Sequence, residues 1–394
     1  MNSTLIVSLL SLLDNDFYKF TMQQAVIHLF SKAKARYHFI NRGDHSFPGG
    51  FAEALQHSVN ALAKLQLSKE EKQFLADTCP YLEPTYLDFL EGYRYNPSEV
   101  EIRQENNRLN ITICGYWYRT ILWEVPLLCL VSELYYLLQH AQRVSDEEVR
   151  TVAKQKIEKY NALGVAIAEF GTRRRHSYKV HRLVVAALKE YGDKSFVGTS
   201  NVHMAMLNQT KPIGTHAHEW FMFHAARYGF KMANTLALEH WVDVYRGDLG
   251  IALSDTYTSD VFFEQFDKKF AKLFDGVRHD SGDPLEFADQ TIKHYQKLGI
   301  DPSSKTIIFS DALNYEKVAR ITAYCKGRIG VSFGIGTNLT NDVGLNPLNM
   351  VIKLAEAYPE GGPWIPVVKL SDEKGKYSGD PHMINLAKTI LHIT

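Results

Sequence analysis

The chain has 394 residues, with 44 Lys or Arg against 44 Asp or Glu, so its formal charge at pH 7 is zero. That balance argues against a protein built mainly to grip a nucleic-acid backbone, which takes a basic excess. With 45% apolar and 12% aromatic residues the chain can bury a full core, which excludes general disorder and leaves two or three domains, or one large barrel with an appendage.

Residues 4–13 are apolar, but they lack a basic leader and a small-residue cleavage site, and Asp14 follows at once. Residues 16–30 carry apolar groups at helical spacing, and residues 36–40 alternate like a strand. Two alternating runs, 100–103 and 109–114, flank the sequence Glu105-Asn106-Asn107-Arg108 and predict a hairpin. Helices mixed with antiparallel strands predict an α+β module over residues 1–125. Residues 121–138 are apolar but interrupted by Glu124, Pro126 and Glu133, which predicts a buried helix and no membrane span. Cys79, Cys114, Cys129 and Cys325 stand far apart with no CxxC, so neither a disulfide framework nor a zinc site is expected. The expected location is the cytoplasm.

From about Glu169 short apolar runs end in small or acidic residues, and amphipathic stretches follow. The runs end at Gly171, Gly198, Thr215, Ser254, His279, Ser310 and Gly334, at intervals of 17 to 39 residues. Such intervals suit βα units with parallel strands. The connecting stretches have helical faces, for example Val180, Leu183, Val184 and Leu188, or Leu313, Val318, Ile321 and Tyr324. The expected fold is α/β: an irregular, incomplete TIM-like barrel over residues 126–369, with residues 370–394 returning to the N-terminal module. Gly361, Gly362, Pro363 and Pro366 mark a loop before a late strand over residues 366–370. In a barrel, function gathers where strands give way to loops.

The strand ends carry Arg173, Arg174 and Arg175; Ser200 and Asn201; Thr215, His216, His218 and Glu219; Asp255; Arg278 and Asp280; Asp311; and the string FGIGT with Gly336 and Thr337. Sharing one mouth, these cations and bare amides would bind phosphates, and the carboxylates would hold ribose hydroxyls or magnesium. A substrate with a sugar and several phosphates fits. Plainer readings stand beside this one. The arginine run also suits a solvated helix entrance, and His218 a structural histidine. Arg278 with Asp280 also suits a surface ion pair, and the three aspartates suit helix caps. FGIGT fits neither GxGxxG nor a P-loop spacing.

The strings DFYKFTM (16–22), EFGTRRRH (169–176), GTSN (198–201), GTHAHEW (214–220), VRHDSGDP (277–284), FGIGTNL (333–339) and KLSDEKGKYSGDP (369–381) run in order along nearly the whole chain. Together they resemble the nicotinate phosphoribosyltransferases, of type II phosphoribosyltransferase fold. The resemblance implies a homodimer that joins nicotinate to 5-phosphoribosyl 1-diphosphate. The products would be nicotinate mononucleotide and diphosphate, in the first step of NAD salvage from nicotinate. ATP hydrolysis would be coupled to the reaction, and Mg2+ required.

It implies that ATP phosphorylates His218, whose ring Glu219 or a neighbouring carboxylate orients, and that Arg278 and Thr215 hold the nicotinate carboxylate. Tyr18 would reach the pyridine ring from the partner subunit, with Phe170 on the other face. Asp280 and Asp311 would lie around ribose and magnesium, Gly336 and Thr337 at the 5-phosphate, and Arg173 on the phosphate side. Asp255 is a further substrate-binding candidate; Lys369 and Lys376 are left between a phosphate contact and a solvated loop.

The nearest rival by resemblance is nicotinamide phosphoribosyltransferase. That family has an aspartate where this chain has Ser200, and an uncharged residue suits an anionic carboxylate better. The quinolinate enzymes lack the GTHAHEW histidine. An RNA- or nucleotide-binding module using Arg173 to Arg175 and Tyr178 would need a basic face, which zero net charge disfavours.

Overall fold

The computed structural model describes residues 7–373 and 377–393. Residues 4–6 of the first apolar run, and Lys376, lie outside them. The strands are β1 (Lys34–Asn41), β2 (Val100–Glu105), β3 (Arg108–Tyr116), β4 (Ala166–Glu169), β5 (Phe196–Thr199), β6 (Arg246–Leu249), β7 (Ile251–Leu253), β8 (Gly276–His279), β9 (Thr306–Phe309), β10 (Gly330–Ile335), β11 (Met350–Tyr358) and β12 (Ile365–Pro366). All but β6 form two sheets.

The first sheet is antiparallel, in the order β12-β11-β1-β3-β2. Asn106 and Asn107 turn the β2–β3 hairpin, with Asn106 at φ 55°, a left-handed conformation that asparagine tolerates. The chain returns to this sheet at Met350, well before residue 370. The strand expected over residues 366–370 is only the short β12, while β11 pairs with β1 along its whole length. Residues 350–358, assigned to the barrel from the sequence, therefore belong to the sheet of the N-terminal module.

The second sheet is parallel, in the order β5-β4-β10-β9-β8-β7. Helices Tyr178–Tyr191, Pro284–Lys297 and Tyr315–Cys325 make the crossovers from β4 to β5, β8 to β9 and β9 to β10. The expected strand end at Thr215 is not a strand. Residues 212–216 touch β5 through one bridge, Thr199 to Pro212, and Pro212 has no N–H to extend a ladder. On its other side this segment reaches β7 through side chains: Thr215 Oγ1 donates to the Ile251 carbonyl (3.2 Å), and the Leu253 N–H donates to His216 Nε2 (3.2 Å). An imidazole nitrogen stands where a strand would offer a carbonyl, and the barrel is irregular there.

Helix Phe17–Phe30 is buried on every side over its first ten residues. Its lysine and amides are matched: Lys19 is held by Glu124 (2.5 Å) and Glu219 (2.7 Å), Gln23 by Tyr118 and Tyr86, and Gln24 by Tyr81 and Glu83. Its partners come from both modules, so it ties them together. The stretch Trp117–Leu138 is long and apolar enough to cross a membrane, but 78% of it is buried inside the chain, as the sequence led one to expect of residues 121–138.

Candidate active site

Three cavities meet at the C-terminal ends of the parallel strands. The smallest, about 110 Å³, lies between Tyr18 and Phe170, with Ile213, Gly214, Thr215, Arg278 and Ser310 in its wall. A cleft of about 500 Å³ shares Phe170, Arg278, Ser310 and Gly334 with it and adds Arg173, Arg174, Asp280, Gly336 and Thr337. The third, about 120 Å³, holds His218, Lys353 and Lys369 and shares Tyr18 with the first and Arg173 with the cleft.

Tyr18 is thus a wall of its own chain's site, carried there by the buried helix Phe17–Phe30, and needs no second subunit to face Phe170. The resemblance had it reach the pyridine ring from the partner subunit; within this chain it already lines one pocket with Phe170. Gly214 allows the approach: a Cβ there would lie 3.0 Å from the Tyr18 backbone nitrogen. In Arg278, Nε donates to Ser310 Oγ (2.9 Å) and Nη2 to Asp280 Oδ1 (2.8 Å). Its Nη1 makes no hydrogen bond among the described residues and remains for a ligand.

His218 opens helix His218–Tyr228. Its Nδ1 lies 3.0 Å from Thr256 Oγ1; its Nε2 lies 3.0 Å from Asp280 Oδ2, 2.8 Å from Lys369 Nζ and 3.7 Å from Asp255 Oδ1. Burial and the Lys369 charge lower its pKa, against the pull of Asp255 and Asp280. A neutral ring with Nδ1–H donating to Thr256 carries a lone pair on Nε2. Burial pushes the Asp280 carboxyl up, but Arg278, His218 and Lys369 outweigh it and hold it well below the usual range. Asp255 is likewise held low by Lys369 and His218 against burial. Glu219 does not orient His218, because its carboxylate accepts from Lys19.

The oxygens of Asp255 and Asp280 and a ring nitrogen of His218 lie within 4.8 Å of one another. Asp255 Oδ1 is buried with no hydrogen-bond partner, and two ionised carboxylates suit a hard, oxygen-seeking cation such as Mg2+. Asp311 lies outside this group. Asp255 is the carboxylate that joins Asp280.

The arginine run divides. Arg173 pairs with Glu124 (3.4 Å) at the junction of the cavities, and Arg174 lines the cleft, where burial and the charges of Arg173 and Arg42 push it down to about 10. Like charges crowded this way favour a bound anion. Arg175 is a structural residue: its guanidinium forms a buried two-bond pair with Asp14 (2.7 and 2.8 Å). Ser200 is also fully buried and gives its hydroxyl proton to Asp16 (2.7 Å), so it acts behind the pocket wall. Lys353, in the alternating run of β11, was missed from the sequence, where it reads as an ordinary outward strand position. Burial, with Arg42 and Lys369, pushes it down to about 8. Thr256 and Ser310 were missed as partners of His218 and Arg278, since a lone hydroxyl after a strand carries no signal of its own.

The chain matches the family model for the nicotinate phosphoribosyltransferase family over residues 165–394, and that for its N-terminal domain over residues 13–132. It is 65% identical to the nicotinate phosphoribosyltransferase of Chromohalobacter salexigens, covering 98% of each chain. The chain belongs to the nicotinate phosphoribosyltransferase family. A relative of the same name from Desulforapulum autotrophicum is 50% identical over 94% of this chain and 95% of its own. The crystal structure of the family member from Porphyromonas gingivalis superposes with a TM-score of 0.95 at 45% identity, covering 97% of this chain and 99% of that one. A putative family member from Saccharomyces cerevisiae gives 0.91 at 33% identity, covering 98% of each chain. The α/β barrel with its antiparallel N-terminal sheet is thus the fold of this family.

Proposed function

We propose that this chain transfers the phosphoribosyl group of 5-phosphoribosyl 1-diphosphate to nicotinate, in a step of NAD biosynthesis. The observation that carries the reading is the junction of a ring-sized aromatic pocket, Arg278 in its wall, with an arginine-lined cleft. Tyr18 and Phe170 sandwich the pyridine ring, and Arg278 Nη1 donates to the nicotinate carboxylate. The uncharged nicotinamide would leave that guanidinium without an anion, and the named relatives are nicotinate enzymes. The 5-phosphate lies at Gly336, Thr337 and Arg174, and the diphosphate near Arg173. The pyridine nitrogen's lone pair forms the bond to ribose C1 as the C1–O bond breaks and its electrons leave with diphosphate. Ring position and the fixed cations lower the barrier, with little need for proton transfer.

ATP enters the third cavity, where Nε2 of neutral His218 attacks the γ-phosphoryl group and ADP leaves. Lys369 and Lys353 balance the arriving charge. Asp255 and Asp280 would hold Mg2+, which when bound neutralises developing charge on diphosphate oxygens. A cytoplasmic homodimer remains the expected working form.

The test is chromatographic product analysis with 5-phosphoribosyl 1-diphosphate and Mg2+, offering nicotinate or nicotinamide, each with and without ATP. The expected result is nicotinate mononucleotide, formed faster with ATP, and negligible product from nicotinamide. Efficient use of nicotinamide would overturn the role given to Arg278. An ATP effect that survives in His218→Ala would overturn the phosphohistidine.

A further inference from the structure

Lys369 is the lysine that touches the candidate phosphoryl acceptor, yet it lies far along the chain, on a strap after β12. Its ammonium contacts His218 Nε2 (2.8 Å) and Asp255 Oδ2 (3.1 Å). A long flexible side chain holds such a position only if its backbone is fixed. The strap is stitched down beside it: the Leu370 N–H donates to the Thr256 carbonyl (2.9 Å), and the Lys369 and Ser378 amides exchange hydrogen bonds with each other's carbonyls (2.9 Å each). Ser371 then turns through φ 69°, a left-handed conformation that serine adopts only when its surroundings impose it.

That turn delivers Asp372. One carboxylate oxygen accepts from the Ser259 N–H and the other from the Ser259 hydroxyl, both at 2.6 Å. The Asp372 N–H donates to Ser281 Oγ (3.1 Å), whose proton goes to Asp255 Oδ2 (2.6 Å), the oxygen that Lys369 also contacts. Asp372 is therefore tied on one side to the loop after Thr256, which holds His218 Nδ1, and on the other to the carboxylate facing His218 Nε2. It touches neither the histidine nor any of the three substrate cavities described above.

We propose that Asp372 is a positioning residue for the phosphoryl-transfer half of the reaction: its clasp on Ser259 and Ser281 holds the strap so that Lys369 stays on His218 and Asp255. This rests on the phosphohistidine reading of His218. The clasp also accounts for the left-handed turn at Ser371.

The experiment compares full-length Asp372→Ala, Asp372→Asn, Lys369→Ala and the Asp372→Ala/Lys369→Ala double variant. Four quantities are read: labelled phosphate incorporated from ATP, kcat and KM for nicotinate with ATP present, and hydrogen exchange of the peptide over residues 366–373. Asp372→Ala is expected to lower phosphoenzyme formation and kcat tenfold or more, leave KM for nicotinate within twofold, and speed exchange in that peptide. Asp372→Asn, whose amide oxygen still accepts from the Ser259 N–H, is expected to recover part of the rate. The double variant is expected to be no slower than Lys369→Ala. Wild-type kcat in Asp372→Ala, unchanged exchange, or rate losses that multiply in the double variant would overturn the proposal. If Asp372→Ala does not fold, a wild-type rate in Asp372→Asn with unchanged exchange would also overturn it. Absence of phosphoenzyme in the unaltered protein would instead refute the phosphohistidine reading; exchange and kcat would then still decide whether the clasp holds the strap.

Discussion

His218 owes its chemistry to four neighbours. Nδ1 lies against the Thr256 hydroxyl, burial and the Lys369 charge lower the ring's pKa, and Asp255 and Asp280 lie on the Nε2 side, a setting that suits the nucleophile proposed above. Replacing it by alanine is expected to abolish labelling by ATP and to bring the rate with ATP down to the rate without it, as a coupled assay would measure. Arg278 acts at the same scale. Its Nε and Nη2 are committed to Ser310 and Asp280, so Arg278→Ala removes the proposed carboxylate contact and a pillar of the site together. A charged hydrogen bond is worth about 1.5–3 kcal/mol, and kcat/KM for nicotinate is therefore expected to fall about 10- to 150-fold. Steady-state kinetics at saturating phosphoribosyl donor would read this.

The turn after β4 shows how one element divides its labour. Arg173 and Arg174 reach the cavities, while Arg175 turns inward to Asp14, which also accepts a hydrogen bond from Asn201 Nδ2 (2.7 Å). The two ends of the run should therefore respond in opposite ways. Asp14→Ala leaves the Arg175 charge buried and unpaired, and is expected to cost about 3–5 kcal/mol in urea unfolding. Arg173 is partly exposed and its pair with Glu124 is loose. Arg173→Ala is expected to change stability by less than about 1 kcal/mol while slowing turnover. The segment 212–216 is a second such element. Gly214→Ala would push a methyl group against Tyr18, and a several-fold rise in KM for nicotinate at nearly unchanged kcat is expected.

At the scale of the whole molecule, buried histidines set the acid side of stability. Burial lowers His224 to about 3, although its hydrogen bond to the Trp220 carbonyl pulls the other way. Burial and Arg143 lower His176 to about 4, where its ring stacks on Tyr136 at 4.7 Å. In the unfolded chain a histidine titrates near 6.5. Below that pH the unfolded state binds protons that the native state refuses, so stability falls as pH drops from 6.5 towards 4 and 3. Urea midpoints are expected to decrease over that window, and His176→Phe to flatten the slope by about one proton.

Much of this molecule was legible in its residues. Helix Phe17–Phe30 is placed by its apolar content, although its burial on every side leaves it no single apolar face. The β2–β3 hairpin and six of the seven strand ends follow from apolar periodicity and from the small or acidic residues that close each run, both local properties. So does the gathering of Phe170, Arg173, Thr215, Arg278, Asp280, Gly336 and Thr337 at one mouth, because parallel strands all end on the same side. What tertiary structure decided was partnership. The sequence presents Arg173 and Arg175 as equals, and only the approach of Asp14 from far upstream makes one of them structural. Asp255 and Asp311 read alike, and the register of β7 against β8 puts Asp255 beside Asp280. Lys353 carries no pattern of its own and Lys369 only that of its tail string; the return of the chain at Met350 brings both to the cavity of His218. Periodicity is written in neighbours along the chain, whereas a pKa, a pair or a cavity depends on residues hundreds of positions apart.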